Sequence, residues 1–349
     1  MHNRGAVARL IAAAVCCLSV MLYSGYRYIF SLPAGTSLIS TPSLAGSEVF
    51  PALFAPENTV QSESRENTAS APQAAQSQGA VPTAAAENAA GKIVSKFISP
   101  YTANTSYGSI YLKNSTDAKI DIKSLYEAPL PYTIEKNGSP QVLIMHTHTT
   151  ESFLTETRDY YTDSDQARTL DENYNMAALG AIVAEKLNAA GISTLHDKTT
   201  HDYPSYNGSY TRAAQTIDGY LKKYPSIKIV IDLHRDAISG DGSGKVKPVT
   251  EINGKQAAQI MLVMGSQTGG VTGFKNWQEN LKLAVKLQRQ LEGMYPSLAR
   301  ALSLMSRKYN ENLTTGSMLI EIGTEVNSIE EVRYSAELLG NALAQLLAQ

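Results

Sequence analysis

Val142-Leu143-Ile144-Met145-His146-Thr147-His148-Thr149-Thr150-Glu151 is an apolar run that ends in metal-ligand chemistry. Four consecutive apolar residues read as a short buried strand, and the threonines after them suit a turn. His148 and Glu151 stand three apart, so a tight turn can aim both side chains at one point. Imidazole and carboxylate are donors of an open zinc site. His146 and His148 are two apart and point to opposite faces of a continuing strand. His148 is therefore the better ligand, and His146 reads as a buried structural histidine or as an outer partner of the ligand.

Two other segments end the same way. Ile227 to Leu233 leads into His234-Arg235-Asp236, and Met318-Leu319-Ile320 leads into Glu321. In an open α/β sheet the strand carboxyl ends meet along one edge, where ligands bind. His148, Glu151 and His234 are thus the expected metal ligands. Arg235 is placed to clamp a substrate carboxylate with two hydrogen bonds, and Asp236 to orient a histidine ring. A purely structural Arg235–Asp236 ion pair stays open as the alternative. Glu321 lies between Ile320 and Ile322, where a carboxylate is costly to bury unless paired or used. An apolar wall raises its pKa toward that of a general base; the alternative is a solvent-facing strand residue. Asp171 and Glu172 read first as helix-capping groups, with Glu172 the fallback ligand should Glu151 face away. The loop from His201 to Arg212 is polar and aromatic. Its Tyr203, Tyr206, Asn207, Tyr210 and Arg212 suit a sugar or peptide groove, although the composition is also that of an ordinary loop.

Beyond these segments the chain alternates. Strands are expected at 142–145, 192–195, 227–233, 260–264 and 318–322. Helices are expected through Met176–Leu187, with Gly191 at the C-cap, and at 213–221, 277–294 and from 330 to the end, with 298–305 continuing helically after Pro296. This pattern argues for an α/β fold in three layers, a mostly parallel sheet flanked by helices.

The 349 residues carry 30 basic and 32 acidic side chains and no long Lys/Arg cluster, which leaves no electrostatic footprint for nucleic acid. The only cysteines, Cys16 and Cys17, lie in an N-terminal apolar stretch, so a metal site must use N and O donors. That stretch is nearly free of charge from 10 to 26 and is flanked by Arg4, Arg9 and Arg27. It approaches the roughly 17–25 residues that span a bilayer, and the basic N-terminal flank keeps that end in the cytoplasm; a cleaved signal peptide is the alternative, and either exports the rest. The expected organisation is a cytoplasmic N-terminus at 1–9, a transmembrane anchor at 10–30, a disordered linker at 31–95, an N-terminal extension at 96–140 and a zinc hydrolase domain at 141–349. The linker is read from a composition too poor in aromatic residues to offset its ordering entropy.

Several stretches together resemble the stage II sporulation protein P family of spore-forming bacteria. They are HTHTTESFL at 146–154, HDKTTHDYPSYNGSYTRA at 196–213, IVIDLHRDA at 229–237, NWQEN at 276–280 and YNENLTTGSMLIEIG at 309–323. The resemblance implies a peptidoglycan hydrolase with N-acetylmuramoyl-L-alanine amidase and endopeptidase activities, acting at the forespore septum during engulfment. It implies stage II sporulation proteins D and M as partners and a cell-membrane protein with its catalytic domain outside the cytoplasm. The family in turn resembles zinc-dependent cell-wall amidases and zinc carboxypeptidases. The amidase order of His, Glu, His and a late catalytic Glu matches His148, His234 and Glu321. The middle carboxylate is Glu151 by the carboxypeptidase pattern, and Asp171 or Glu172 by the amidase pattern; Glu151 is taken. A non-catalytic septal peptidoglycan-binding module and a carboxypeptidase of stem peptides are the competing readings.

Overall fold

The computed structural model describes residues 88–348. The expected cytoplasmic end, anchor and most of the linker lie outside the described residues. Among the described residues no helix is long and apolar enough to cross a membrane.

The elements, in order, are β1 (Gly91–Lys96), β2 (Thr105–Tyr107), β3 (Ile110–Asn114), α1 (Ile122–Glu127), β4 (Val142–Met145), β5 (Tyr160–Tyr161), α2 (Met176–Ala189) and β6 (Thr194–His196). They continue with α3 (Ser209–Lys223), β7 (Ile229–Asp236), β8 (Lys245–Ile252), β9 (Lys255–Ala258), β10 (Ile260–Gly265), α4 (Trp277–Met294), β11 (Leu302–Met305), β12 (Ser317–Thr324) and α5 (Ile329–Leu347). The main sheet has eight strands in the order β2-β3-β11-β10-β12-β7-β4-β6. Five of its seven pairings are parallel; β10 with β12 and β2 with β3 are antiparallel.

The central strands β4, β7 and β12 are buried along their whole length, as parallel strands covered on both faces must be. Period-two alternation splits their side chains between two cores. Ile144, Ile231, Leu233, Met318, Ile320 and Ile322 pack with the apolar faces of α2, α4 and α5. Leu143, Met145 and Val230 pack on the opposite side against Ala213 and Ile217 of α3. The result is helix, sheet and helix in three layers. α2 starts where Asn175 caps the backbone N–H of Ala177 (2.9 Å) and gives way to Gly191, whose φ of 80° needs glycine.

Two expectations are corrected. Residues 298–305 do not continue a helix: Leu302–Met305 is β11, paired in parallel with both β10 and β3. Leu302 and Leu304 alternate with Ser303, and the left-handed φ of 73° at Ser297 turns the chain after Pro296. The linker does not run to 95, because Gly91–Lys96 forms β1 in a separate four-stranded sheet of order β5-β1-β8-β9. The sheet is mostly parallel, but β10 runs against β12, so the block β6, β4, β7 and β12 ends there and β11 and β3 follow β10.

Candidate functional site

The carboxyl ends of β4, β7 and β12 lie side by side, because β7 pairs with both of the others. Glu321 on β12 stands in register with His234 on β7. The turn after β4 is closed by Glu151 N–H donating to His148 C=O (3.1 Å). Asp232 holds that turn against β7. Its carboxylate accepts the N–H (2.8 Å) and the hydroxyl (2.6 Å) of Thr147. Asp202 holds the far side, accepting the Thr150 hydroxyl (2.6 Å).

These constraints bring His148, Glu151, His234 and Glu321 together. The rings of His148 and His234 lie edge to face with centroids 5.2 Å apart. Glu151 Oε2 is 3.7 Å from His234 Nδ1 and accepts the Arg235 N–H at 3.2 Å. Glu321 is 8% exposed and its Oε2 has no hydrogen-bond partner. Burial, then the charge of Asp236, raises its pKa above the usual carboxylate range, with His234 opposing.

Both histidine rings are oriented from behind. Tyr206 stacks on His148 (4.6 Å, 12°) with its hydroxyl 3.2 Å from Nε2, while the buried Nδ1 has no partner. Asp232 Oδ1 lies 3.0 Å from His234 Nε2, a charge contact not aligned as a hydrogen bond. Burial, then the charges of His234 and Arg168, pushes the His148 pKa down to about 3, so its ring is neutral. Burial also disfavours the His234 imidazolium, but the charges of Asp232, Glu151 and Glu321 prevail and raise its pKa to about 10.

Among the described residues, no three His, Cys, Asp or Glu side chains already stand as a metal cage. The donor chemistry nevertheless fits a cation. The buried His148 Nδ1 has no partner, and three carboxylates surround His234. A positive charge answers that excess, and the outer partner on each ring is the arrangement that orients metal-binding histidines.

Other expected site residues sit elsewhere. Arg235, expected to clamp a substrate, has a side chain 6% exposed and tied to the Ala167 carbonyl (2.7 Å) and Glu325 (3.6 Å). Asp236, expected to orient a histidine, instead pairs with Arg300 (2.8 Å). The fallback ligand Glu172 lies on the surface, bound to Lys198 (2.7 Å). Of the expected groove, Tyr203 and Asn207 are exposed and Tyr210 stacks toward His234 (6.4 Å, 16°). Arg212 braces its own loop through the carbonyls of His201 (2.6 Å), Asn207 (3.0 Å) and Ser205. His146 pairs Nε2 to Nε2 with His196 (2.9 Å), deep beside Gly180. Reading the residues one by one missed Asp232, Arg168 and Asp202. Asp232 had a signal, since it lies two residues before His234 and so shares its face.

Fold and site define a class: an α/β protein with imidazole and carboxylate donors gathered at the carboxyl edge of adjacent parallel strands. The sequence narrows this further. Residues 47–344 match the family model for stage II sporulation protein P, and the chain belongs to that family. It is 27% identical over 216 residues to stage II sporulation protein P of Bacillus subtilis (strain 168), a match covering 59% of this chain. The chain spans about half (50%) of the length of that relative. Similar solved structures include the N-acetylmuramyl-L-alanine amidase Ami1 of Mycobacterium smegmatis, at 14% identity and a TM-score of 0.37 over 60% of this chain and 98% of that one. The CwlD amidase of Clostridioides difficile, solved in complex with the GerS lipoprotein, gives 10% identity and a TM-score of 0.39 over 59% and 98%. At those scores neither likeness bears on the chemistry.

Proposed function

We propose that this chain is a zinc-dependent peptidoglycan hydrolase that cleaves the amide between the lactyl group of muramic acid and L-alanine, with a second activity on cross-link peptides. The observation that carries this reading is the convergence of His148, Glu151, His234 and Glu321 at three neighbouring strand ends. The substrate follows from family membership and from the activities that the family resemblance implies.

His148, Glu151 and His234 would hold the ion. When bound, zinc polarises the scissile carbonyl and lowers the pKa of water from ~15.7 toward ~7. The chain's own residues do the rest. Glu321 Oε2 receives the proton of the attacking water and returns it to the leaving nitrogen. Its apolar setting makes the carboxylate a stronger base than one in water. Asp232 and Tyr206 keep the two rings in place. Tyr203 and Asn207 offer a polar, aromatic approach on the loop beside His148. In this reading residues 10–30 anchor the chain, the hydrolase domain lies in the septal space outside the cytoplasm, and stage II sporulation proteins D and M are its partners in septal wall thinning and engulfment.

The test uses the full chain on dye-labelled sacculi, with chelator and then with zinc restored. Chelator-sensitive release, with free glycan and intact stem peptides by mass spectrometry, is the expected result. Release of single terminal amino acids would make it a carboxypeptidase, and binding without release a recruitment module.

A further inference from the structure

Arg168 enters the site through one backbone contact. Glu151 and Arg168 form an isolated antiparallel bridge, and residues opposed in such a bridge share a face. The guanidinium, 34% exposed, then meets three groups. It ion-pairs with the fully buried carboxylate of Asp202. It stands 3.6 Å from Glu151 Oε1. It also lies over the Tyr206 ring, 4.8 Å from the centroid. The same ring stacks on His148 at 4.6 Å. Arginine, phenol and imidazole thus form one pile.

Each of these contacts ends on His148, on Glu151, or on the turn between them. Asp202 holds Thr150 through its hydroxyl (2.6 Å). Arg168 engages one oxygen of Glu151, leaving Oε2 as the oxygen that faces His234 Nδ1. The Tyr206 hydroxyl sits on His148 Nε2, leaving Nδ1 as the nitrogen free to bind. The pile therefore selects one donor atom on each of two residues.

We propose that Arg168, Tyr206 and Asp202 form a clamp that sets how tightly, and in what geometry, His148 and Glu151 hold a divalent metal ion. This rests on the metal reading above, and its residues are positioning residues with no contact to substrate required. Because Asp202 is fully buried, loss of this ion pair lowers stability. Outer partners of metal ligands change metal affinity about 10- to 100-fold.

The experiment titrates metal-free full chain with Zn2+ against a chromophoric chelator, and records the visible absorption of the Co2+ form. Tyr206→Phe keeps the ring and removes the hydroxyl. Arg168→Gln removes the charge, and Arg168→Lys restores the charge without the flat face. The expected result is a zinc dissociation constant raised about 10- to 100-fold in Tyr206→Phe and Arg168→Gln, partly recovered in Arg168→Lys, with altered Co2+ bands. The double variant Tyr206→Phe with Arg168→Gln loses less than the product of the single losses, because both act through one stack. Arg168→Gln strands the Asp202 carboxylate; should it fail to fold, Tyr206→Phe and Arg168→Lys carry the test. Folded variants with the zinc affinity and Co2+ spectrum of the unaltered chain overturn the clamp. An unaltered chain that binds neither ion overturns the metal reading itself.

Discussion

Asp232 faces His234 Nε2 at 3.0 Å with the same carboxylate that accepts two hydrogen bonds from Thr147. One side chain therefore fixes both a donor ring and the turn that carries the other two donors. Burial works against its ionisation, yet the His234 charge and the Thr147 hydrogen bonds hold its pKa below the usual carboxylate value. Asp232→Asn keeps the shape and removes the charge. Zinc affinity is expected to fall about 10- to 100-fold, and unfolding free energy by about 1–3 kcal/mol. Chelator competition and urea unfolding of the metal-free chain read the two effects separately.

Glu321→Gln is expected to leave zinc content unchanged and to abolish release from labelled sacculi. Its carboxylate is unpartnered at Oε2 and absent from the proposed donor set, so amide replacement removes proton transfer alone. Full digestion by the variant, alongside normal zinc by elemental analysis, would remove Glu321 from the mechanism.

Gly180 makes room for a pair of histidines. A Cβ at this position would lie 2.3 Å from His196 Nε2 and 2.6 Å from His146 Nε2. Exchanging glycine for alanine in a helix gains up to about 1 kcal/mol in propensity. Overpacking a core costs about 1–3 kcal/mol. With rigid rings as the obstacle, the second effect prevails: Gly180→Ala is expected to lower the urea midpoint, and a raised midpoint would count against the close packing.

The same pair sets an acid limit. Nδ1 of His146 donates to the Leu233 carbonyl (3.2 Å), so its Nε2 accepts from His196 Nε2–H. Burial, then the Lys198 charge, lowers the His196 pKa to about 4. The unfolded chain binds this proton near pH 6.5, so between about 6.5 and 4 it carries more protons than the folded chain. Stability therefore rises with pH across that window and is lost as pH falls through it, by at most about 1.4 kcal/mol per pH unit for this one group. Urea midpoints at pH 7.5, 6 and 5 read this contribution as a difference: the unaltered chain should lose more stability with acid than His196→Gln does. The same pH dependence in both chains would exclude a contribution from His196.

The parts of the site that follow strands were legible. His148, His234 and Glu321 each terminate an apolar run, and burial makes such an ending informative. Arg168 was not legible, because one bridge in a polar loop brings it to Glu151 and no periodicity encodes that bridge. Arg235 misled for the opposite reason: strand-end placement does not say whether a long side chain turns out or folds back to a carbonyl. The continuation of α4 past Pro296 looked natural because leucines at 298, 302 and 304 serve a helix face or a strand equally. The β8–β9 hairpin carries a readable turn, Asn253-Gly254, both left-handed at φ 51° and 75°.

The reversal at β10 limits the edge that carries the donors. Strands sit about 4.8 Å apart, so β4, β7 and β12 together present a working front about 10 Å wide. Past β12 the neighbouring strand begins where the others finish, since β10 starts out from Ile260, opposite Ile322 of β12. The row of strand ends that carries the donors therefore stops at β12 on that side and continues only toward β4 and β6.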